Sequence, residues 1–367
     1  MGKRLVSLDA FRGLTILLML IVNNPGSWDY VYPPLRHAAW HGCTPTDMIF
    51  PFFLFIMGVA MWYSFKKYNN SINWDVSLKV IRRTLLIFLI GTAINLYALH
   101  GAPLSSVRIM GVLPRIALAY GIASFMVLVF RTVYIKAGVV MILLAYWAAL
   151  ALLGKGDPFS LEGNFVRTFD TFLLGENHLP MYLGIRFDMS GLFSTIPSVA
   201  HVLFGYLCGQ LIENEKNKAK MPGKLLLYGV LAIIGGKLFG ILFPINKLLW
   251  SSSFVLYTTG WAMVLLSFFY WFIDIRGCKK WTKPLLAYGM NPLFIYVLAD
   301  FWARLLGRIE VPVEGIGKIP LNQWIYTQLF VPLAGNMIGS LLFALHLGLL
   351  FWLIAWIMYK KRWFIKI

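Results

Sequence analysis

A group of residues able to carry acid/base chemistry falls within one short stretch: Asn23 and Asn24 in VNNPG, then His37, Trp40, His41, Thr44 and Asp47 in LRHAAWHGCTPTD. A histidine with an ordinary pKa of about 6.5 accepts a proton from an amine or hydroxyl at neutral pH. Beside it, Asp47 would orient the imidazole or help hold a sugar. Asn23 or Asn24 would stabilise an oxyanion, and Trp40 would stack on the apolar face of a sugar ring. The same residues also admit a structural reading. Thr44 or Asp47 would cap a helix, Trp40 would sit in an interfacial aromatic belt, and His37 and His41 would be solvated loop residues.

The surrounding chain must position this group from within a membrane. Of 367 residues 59% are apolar and only 13% charged, too little polar surface for a soluble fold of this size. Crossing a hydrocarbon layer of about 30 Å takes about 20 helical residues. About ten segments qualify: 13–24 (extended from Leu8), 48–65, 84–99, 111–130, 138–153, 192–212, 225–243, 253–273, 285–303 and 337–359. The stretch 323–335 is short and contains Pro332, which marks a re-entrant or interfacial piece. The expected fold is an all-α polytopic membrane protein, a single bundle domain whose longest external loop, 154–191, covers an outer opening.

Basic residues in short loops stay on the cytoplasmic side. With both termini inside, Lys3, Arg4, Lys66, Lys67, Arg82, Arg83, Arg131, Lys216, Lys218, Arg276, Lys279, Lys360, Arg362 and Lys366 all fall at inner ends. That places the His37 group outside. The net charge of +18 is accounted for by topology and contact with anionic lipid, without nucleic acid. Cys43, Cys208 and Cys278 lack metal-ligand spacing and suggest neither a disulfide framework nor a metal site. P-loop, dinucleotide-fold and GxSxG signatures are absent, and the basic, apolar N-terminus lacks a cleavage site, so it reads as an uncleaved first span.

The runs SLDAFRGLTILLMLIVNNPG and LRHAAWHGCTPTDMIFPFFLFIMGVA resemble the signature of the heparan-α-glucosaminide N-acetyltransferase family. GVLPRIALAY, FDMSGLFSTIPSVAHVLFGYLCG, PINKLLWSSSFVLYTTG and GMNPLFIYVLAD follow in that family's order. The resemblance implies transfer of acetyl from cytosolic acetyl-CoA to the amino group of a glucosamine on the far side of the membrane. It further implies pairing of identical subunits. It puts the catalytic histidine at His37, the active-site asparagine at Asn23 and the aspartate before the second span at Asp47. The longer insert NPGSWDYVYPPLR leaves Asn23 and Asn24 as alternatives, and His41 becomes a bystander. Because the chain begins at the first span, without the animal enzyme's lumenal domain, the expected setting is a bacterial cytoplasmic membrane and the expected acceptor a short glucosamine-containing sugar.

Charge suggests the remaining contacts. Arg12, Arg82 and Arg83 lie at the inner side, where CoA phosphates seek cations. Arg115, inside the outer end of its span, either meets a deeply threaded cofactor or bridges to a carboxylate. Asp188, Lys247 and Trp250 lie on the outer side, where they would contact a sugar or act as loop structure and interface anchors. Buried His201 and His346 read as satisfied core or pore histidines, and Lys237 and Asp300 receive no role. The Gly-rich spots LIGTAIN, YGVLAIIGG and GNMIGS read as close helix packing. Two other function classes share these features: an amino-sugar transporter without acyl chemistry, and an acyltransferase acting on a hydroxyl of an envelope glycan or lipid.

Overall fold

The computed structural model describes residues 5–99, 101, 103–315 and 317–365, so Lys3, Arg4 and Lys366 lie outside the described residues. The chain is helical almost throughout. Bilayer hydrocarbon offers no partner for backbone N–H and C=O groups, so apolar runs of this length satisfy them internally as helices. The helices are α1 Val6–Asn23, α2 Ile49–Phe65, α3 Trp74–Ala98, α4 Val112–Val129, α5 Thr132–Leu153, α6 Phe165–Leu174, α7 Thr195–Asn214, α8 Met221–Phe239 and α9 Ser252–Phe269. After them come α10 Lys283–Met290, α11 Pro292–Arg308, α12 Leu321–Ile325 and α13 Val331–Lys360. Two small antiparallel hairpins, β1 Met181–Tyr182 with β2 Ile185–Arg186 and β3 Glu310–Val313 with β4 Gly317–Pro320, complete the fold.

Caps set the helix starts. Asn73 accepts from the Val76 N–H (2.9 Å) to begin α3, and Asn164 accepts from that of Arg167 (2.9 Å) to begin α6. Each such cap contributes about 1 kcal/mol. Among the described residues eight helices are long and apolar enough to cross a membrane, or nine if the pair Lys280–Met290 and Pro292–Arg308, bent by 69°, counts as one. The expected segment 84–99 is the second part of α3, which begins ten residues earlier than that segment and carries Asp75, Lys79, Arg82 and Arg83 in its first half. Residues 321–360 form a helical stretch of 40 residues, about 60 Å long at 1.5 Å per residue. That is twice what one crossing needs. Gly335, at φ +73, breaks it, so the piece around 323–335 is set off from the last span.

Two compact units emerge from the contacts. The first holds Met1–His37, Thr44–Ile49 and Phe272–Lys366; the second holds Ala38–Cys43 and Phe50–Trp271. In the first, α1 and α10 approach closely: a Cβ on Gly13 would lie 1.8 Å from the Leu285 carbonyl oxygen, and one on Gly289 would lie 2.2 Å from that of Asp9. In the second, α2 and α7 do the same through Gly58 and Gly205. The Gly-rich spots predicted to pack do so at Gly91 against Pro114, Gly236 against Tyr257 and Gly339 against Phe330.

Candidate active site

In the first unit the chain leaves α1 at Asn23 and runs through a loop that its own side chains hold in place. Arg36 donates from Nε to the Val31 carbonyl (2.8 Å) and from Nη2 to that of Asp29 (3.0 Å), while Thr46 Oγ1 donates to the Pro34 carbonyl (3.1 Å). His37 is thereby brought to the turn Pro45–Met48. There Asp47, 1% exposed, sits in a capping box with Thr44, its Oδ2 accepting from the Thr44 N–H at 3.0 Å. The other carboxylate oxygen, Oδ1, is 2.7 Å from His37 Nδ1.

That contact fixes the chemistry of the imidazole. A buried carboxylate accepts, so the ring proton sits on Nδ1 and the basic lone pair on Nε2. The charge-assisted bond also orients the ring and stabilises the imidazolium formed when Nε2 takes a proton. The His37 side chain is 40% exposed, so part of the ring is open to solvent. Asn23 and Asn24 differ in availability. Asn24 donates from Nδ2 to the Leu20 carbonyl (2.8 Å), a helix-ending role, whereas Asn23 is exposed.

The second unit contains a buried guanidinium with its own set of polar and aromatic contacts. Arg115 is fully buried near the start of α4, with its Nη2 donating to Ser194 Oγ and its guanidinium carbon 4.7 Å from the centroid of the Trp250 ring. Among the described residues its Nε and Nη1 have no hydrogen-bond partner. Trp250 itself holds φ +54, a strained value for a bulky residue. The strain is offset by its contacts: Nε1 donates to His201 Nδ1 (3.1 Å), and His201 Nε2 lies 2.8 Å from Thr258 Oγ1. His201 is thus the satisfied core histidine expected. Asp188 is buried and receives Arg108 Nε at 2.9 Å and Nη2 at 2.5 Å.

Asp170, on α6, is a further buried carboxylate there, 1% exposed. Its Oδ1 accepts from the Phe193 N–H (2.9 Å), and among the described residues its Oδ2 has no hydrogen-bond partner. Burial pushes its pKa up to about 7, opposed by that N–H bond. Residues 38–43 are stitched to this unit: Gly42 N–H donates to the Ile245 carbonyl (2.7 Å), Tyr182 Oη to that of Ala39 (2.6 Å) and Trp40 Nε1 to that of Phe159 (2.8 Å). The Trp40 ring meets Phe187 edge-on at 5.7 Å, within an aromatic cluster that includes Tyr146 and Phe243. Burial lowers the pKa of His41 below its ordinary value, Asp157 opposing.

The structure therefore brings His37 and Asp47 together and keeps Asn23 open at the end of α1. Arg12 is engaged by Asp9 Oδ1 (3.2 Å) and the Gly289 carbonyl (3.3 Å). Arg82 is exposed on α3, and Arg83 lies over the Tyr120 ring at 4.6 Å. Asp188 and Trp250 are buried rather than open to solvent, and Lys247 is half-buried. Sequence reasoning missed Arg108, Ser194 and Asp170. Asp170 lies four residues after Val166 on a short helix, and both are buried, a placement that the residue types alone do not signal. Among the described residues no group of three or more His, Cys, Asp or Glu is placed to hold a metal ion.

The family model "Heparan-alpha-glucosaminide N-acetyltransferase, catalytic" matches residues 4–242, a range that takes in His37, Asp47, Arg115, Asp170, Asp188 and Ser194 but ends before Trp250. The heparan-alpha-glucosaminide N-acetyltransferase of Mus musculus is 27% identical over 353 aligned positions, covering 81% of this chain and 53% of the mouse protein. That of Homo sapiens is 27% identical over 353, covering 80% and 52%. The chain spans about half the length of these curated relatives.

Proposed function

Because the chain belongs to the heparan-alpha-glucosaminide N-acetyltransferase catalytic family, a family of transmembrane acetyltransferases, we propose that it moves acetyl from cytosolic acetyl-CoA to the amino group of a glucosamine-containing sugar on the outer side of the membrane. The observation that carries this reading is the buried Asp47 carboxylate 2.7 Å from His37 Nδ1. It leaves an oriented base whose Nε2 suits removal of an amine proton.

His37 Nε2 takes the proton as the amine nitrogen attacks the thioester carbonyl carbon. The carbonyl oxygen becomes an oxyanion, for which the Asn23 side-chain amide is the proposed donor. The intermediate collapses, the C–S bond breaks, and the departing CoA sulfur receives the proton from the imidazolium. Asp47 stays ionised and steadies the charge on the ring. A route through an acetyl-histidine, in which Nε2 itself attacks the thioester, uses the same dyad. The segregation of basic residues to the opposite ends of the spans supports an outer location for the acceptor.

Acceptor choice tests this reading. Purified protein given labelled acetyl-CoA is expected to acetylate glucosamine and to leave glucose unlabelled. Label on a hydroxyl of glucose would replace the amine reading with O-acylation, and uptake of amino sugar by vesicles without any need for acetyl-CoA would replace it with transport.

A further inference from the structure

The first unit contains a cavity at the opposite end of α1 from Asn23. It has a volume of about 440 Å3 and is lined by Val6 and Asp9 of α1, Leu286 and Met290 of α10, and Tyr359, Lys360, Arg362 and Phe364 at the end of α13. Its outer wall is the C-terminal tail, which the buried Asn291 clamps: Nδ2 donates to the Trp363 carbonyl (2.9 Å) and Oδ1 accepts from the Ile365 N–H (2.9 Å). On the inner wall, Asp9 is held by Arg12 at 3.2 Å. Asp9 lends the cavity negative charge, but Arg12 compensates it, so Lys360 and Arg362 set the sign.

We propose that this cavity binds a phosphate group carried on an apolar or aromatic body, with Lys360 and Arg362 as its cationic contacts. The two cations supply charge-assisted donors for phosphate oxygens, and the guanidinium of Arg362 suits a bidentate grip. Val6, Leu286, Met290, Tyr359 and Phe364 give the attached body an apolar bed. Lys360 also stands 5.0 Å over the Trp356 ring, which keeps its stem near the helix end where phosphates of the inner leaflet lie.

Two sources present this chemistry on the cytoplasmic side: the headgroup of an anionic phospholipid and the 3′-phosphoadenosine diphosphate end of CoA. The inference rests on the orientation given under Proposed function but needs no acetyl transfer, so it is tested by binding alone. Wild type, Lys360→Ala/Arg362→Ala and the charge-keeping Lys360→Arg/Arg362→Lys are compared after confirming equal elution and thermal midpoint in detergent. One arm titrates adenosine 3′,5′-bisphosphate by calorimetry. The other counts lipids retained by native mass spectrometry from nanodiscs of equal phosphatidylglycerol and phosphatidylcholine. The alanine pair is expected to lose about ten-fold or more in one arm, with the charge-keeping pair close to wild type. Loss in the nucleotide arm assigns the cavity to CoA, and loss in the lipid arm assigns it to phosphatidylglycerol. Unchanged binding in both arms overturns the proposal, whether or not the protein proves to be an acetyltransferase.

Discussion

Asp170 links protonation to stability at the scale of a single residue. Its folded pKa of about 7 stands above the ordinary 3.8, so between those values the folded state holds a proton that the unfolded state has released. Its contribution is therefore fully present below about pH 4 and is lost as pH rises through about 7, an effect on the order of a few kcal/mol. The Asp170→Asn variant keeps an acceptor for the Phe193 N–H and removes the titration. Between pH 5 and pH 8, the thermal midpoint of wild type in detergent is expected to fall by several degrees more than that of the variant. Parallel curves would show that Asp170 does not carry the dependence. The sequence made the His37–Asp47 pair legible because HAAWHG and TPTD bring both residue types close along the chain. It concealed Asp170, Arg108 and Ser194, whose significance comes from burial and partners far apart in sequence.

Between elements, backbone approach governs packing. A Cβ on Gly58 would sit 1.9 Å from the Val202 carbonyl oxygen, and one on Gly205 would sit 2.0 Å from that of Phe55, so α2 and α7 meet backbone to backbone. Neither carbonyl can swing aside without breaking helix bonds. Gly205→Val is accordingly expected to cost about 2–3 kcal/mol or to prevent accumulation of folded protein. Gly223→Ala on α8, where a Cβ meets open space, is expected to be neutral or to raise the midpoint slightly. Size-exclusion profiles and thermal midpoints of the two variants check this, and a well-folded Gly205→Val protein would contradict the packing. Most spans were legible because hydropathy alone demands helix in lipid. Their breaks were legible only in part: Pro332 marked 323–335 as a piece apart from the last span, which the kink at Gly335 sets off, whereas the 69° bend after Met290 falls inside the expected segment 285–303. The early start of α3 was hidden by charged residues that a hydropathy window rejects.

For the molecule as a whole, the segregation of basic residues predicts that the loop after α1 faces outward and the segment after α9 inward. Trp28 is 64% exposed and Cys278 is exposed. In chains whose other cysteines are replaced by serine, a Trp28→Cys residue is expected to react with a membrane-impermeant maleimide in intact cells, and Cys278 only after permeabilisation. The reverse pattern would invert the orientation and with it the sidedness of the proposed transfer. The family, too, was legible as ordered motifs, and the match over residues 4–242 bears it out. The acceptor was not, since no single motif identifies a sugar.

The role proposed for His37, oriented by Asp47, is acetyl transfer. It is tested most directly by measuring label passed from acetyl-CoA to glucosamine by purified wild-type protein and by the His37→Ala variant side by side. Labelled N-acetylglucosamine is expected from wild type, with a loss of about a hundred-fold or more in a variant that elutes and melts normally. Near-normal transfer by that variant would contradict it.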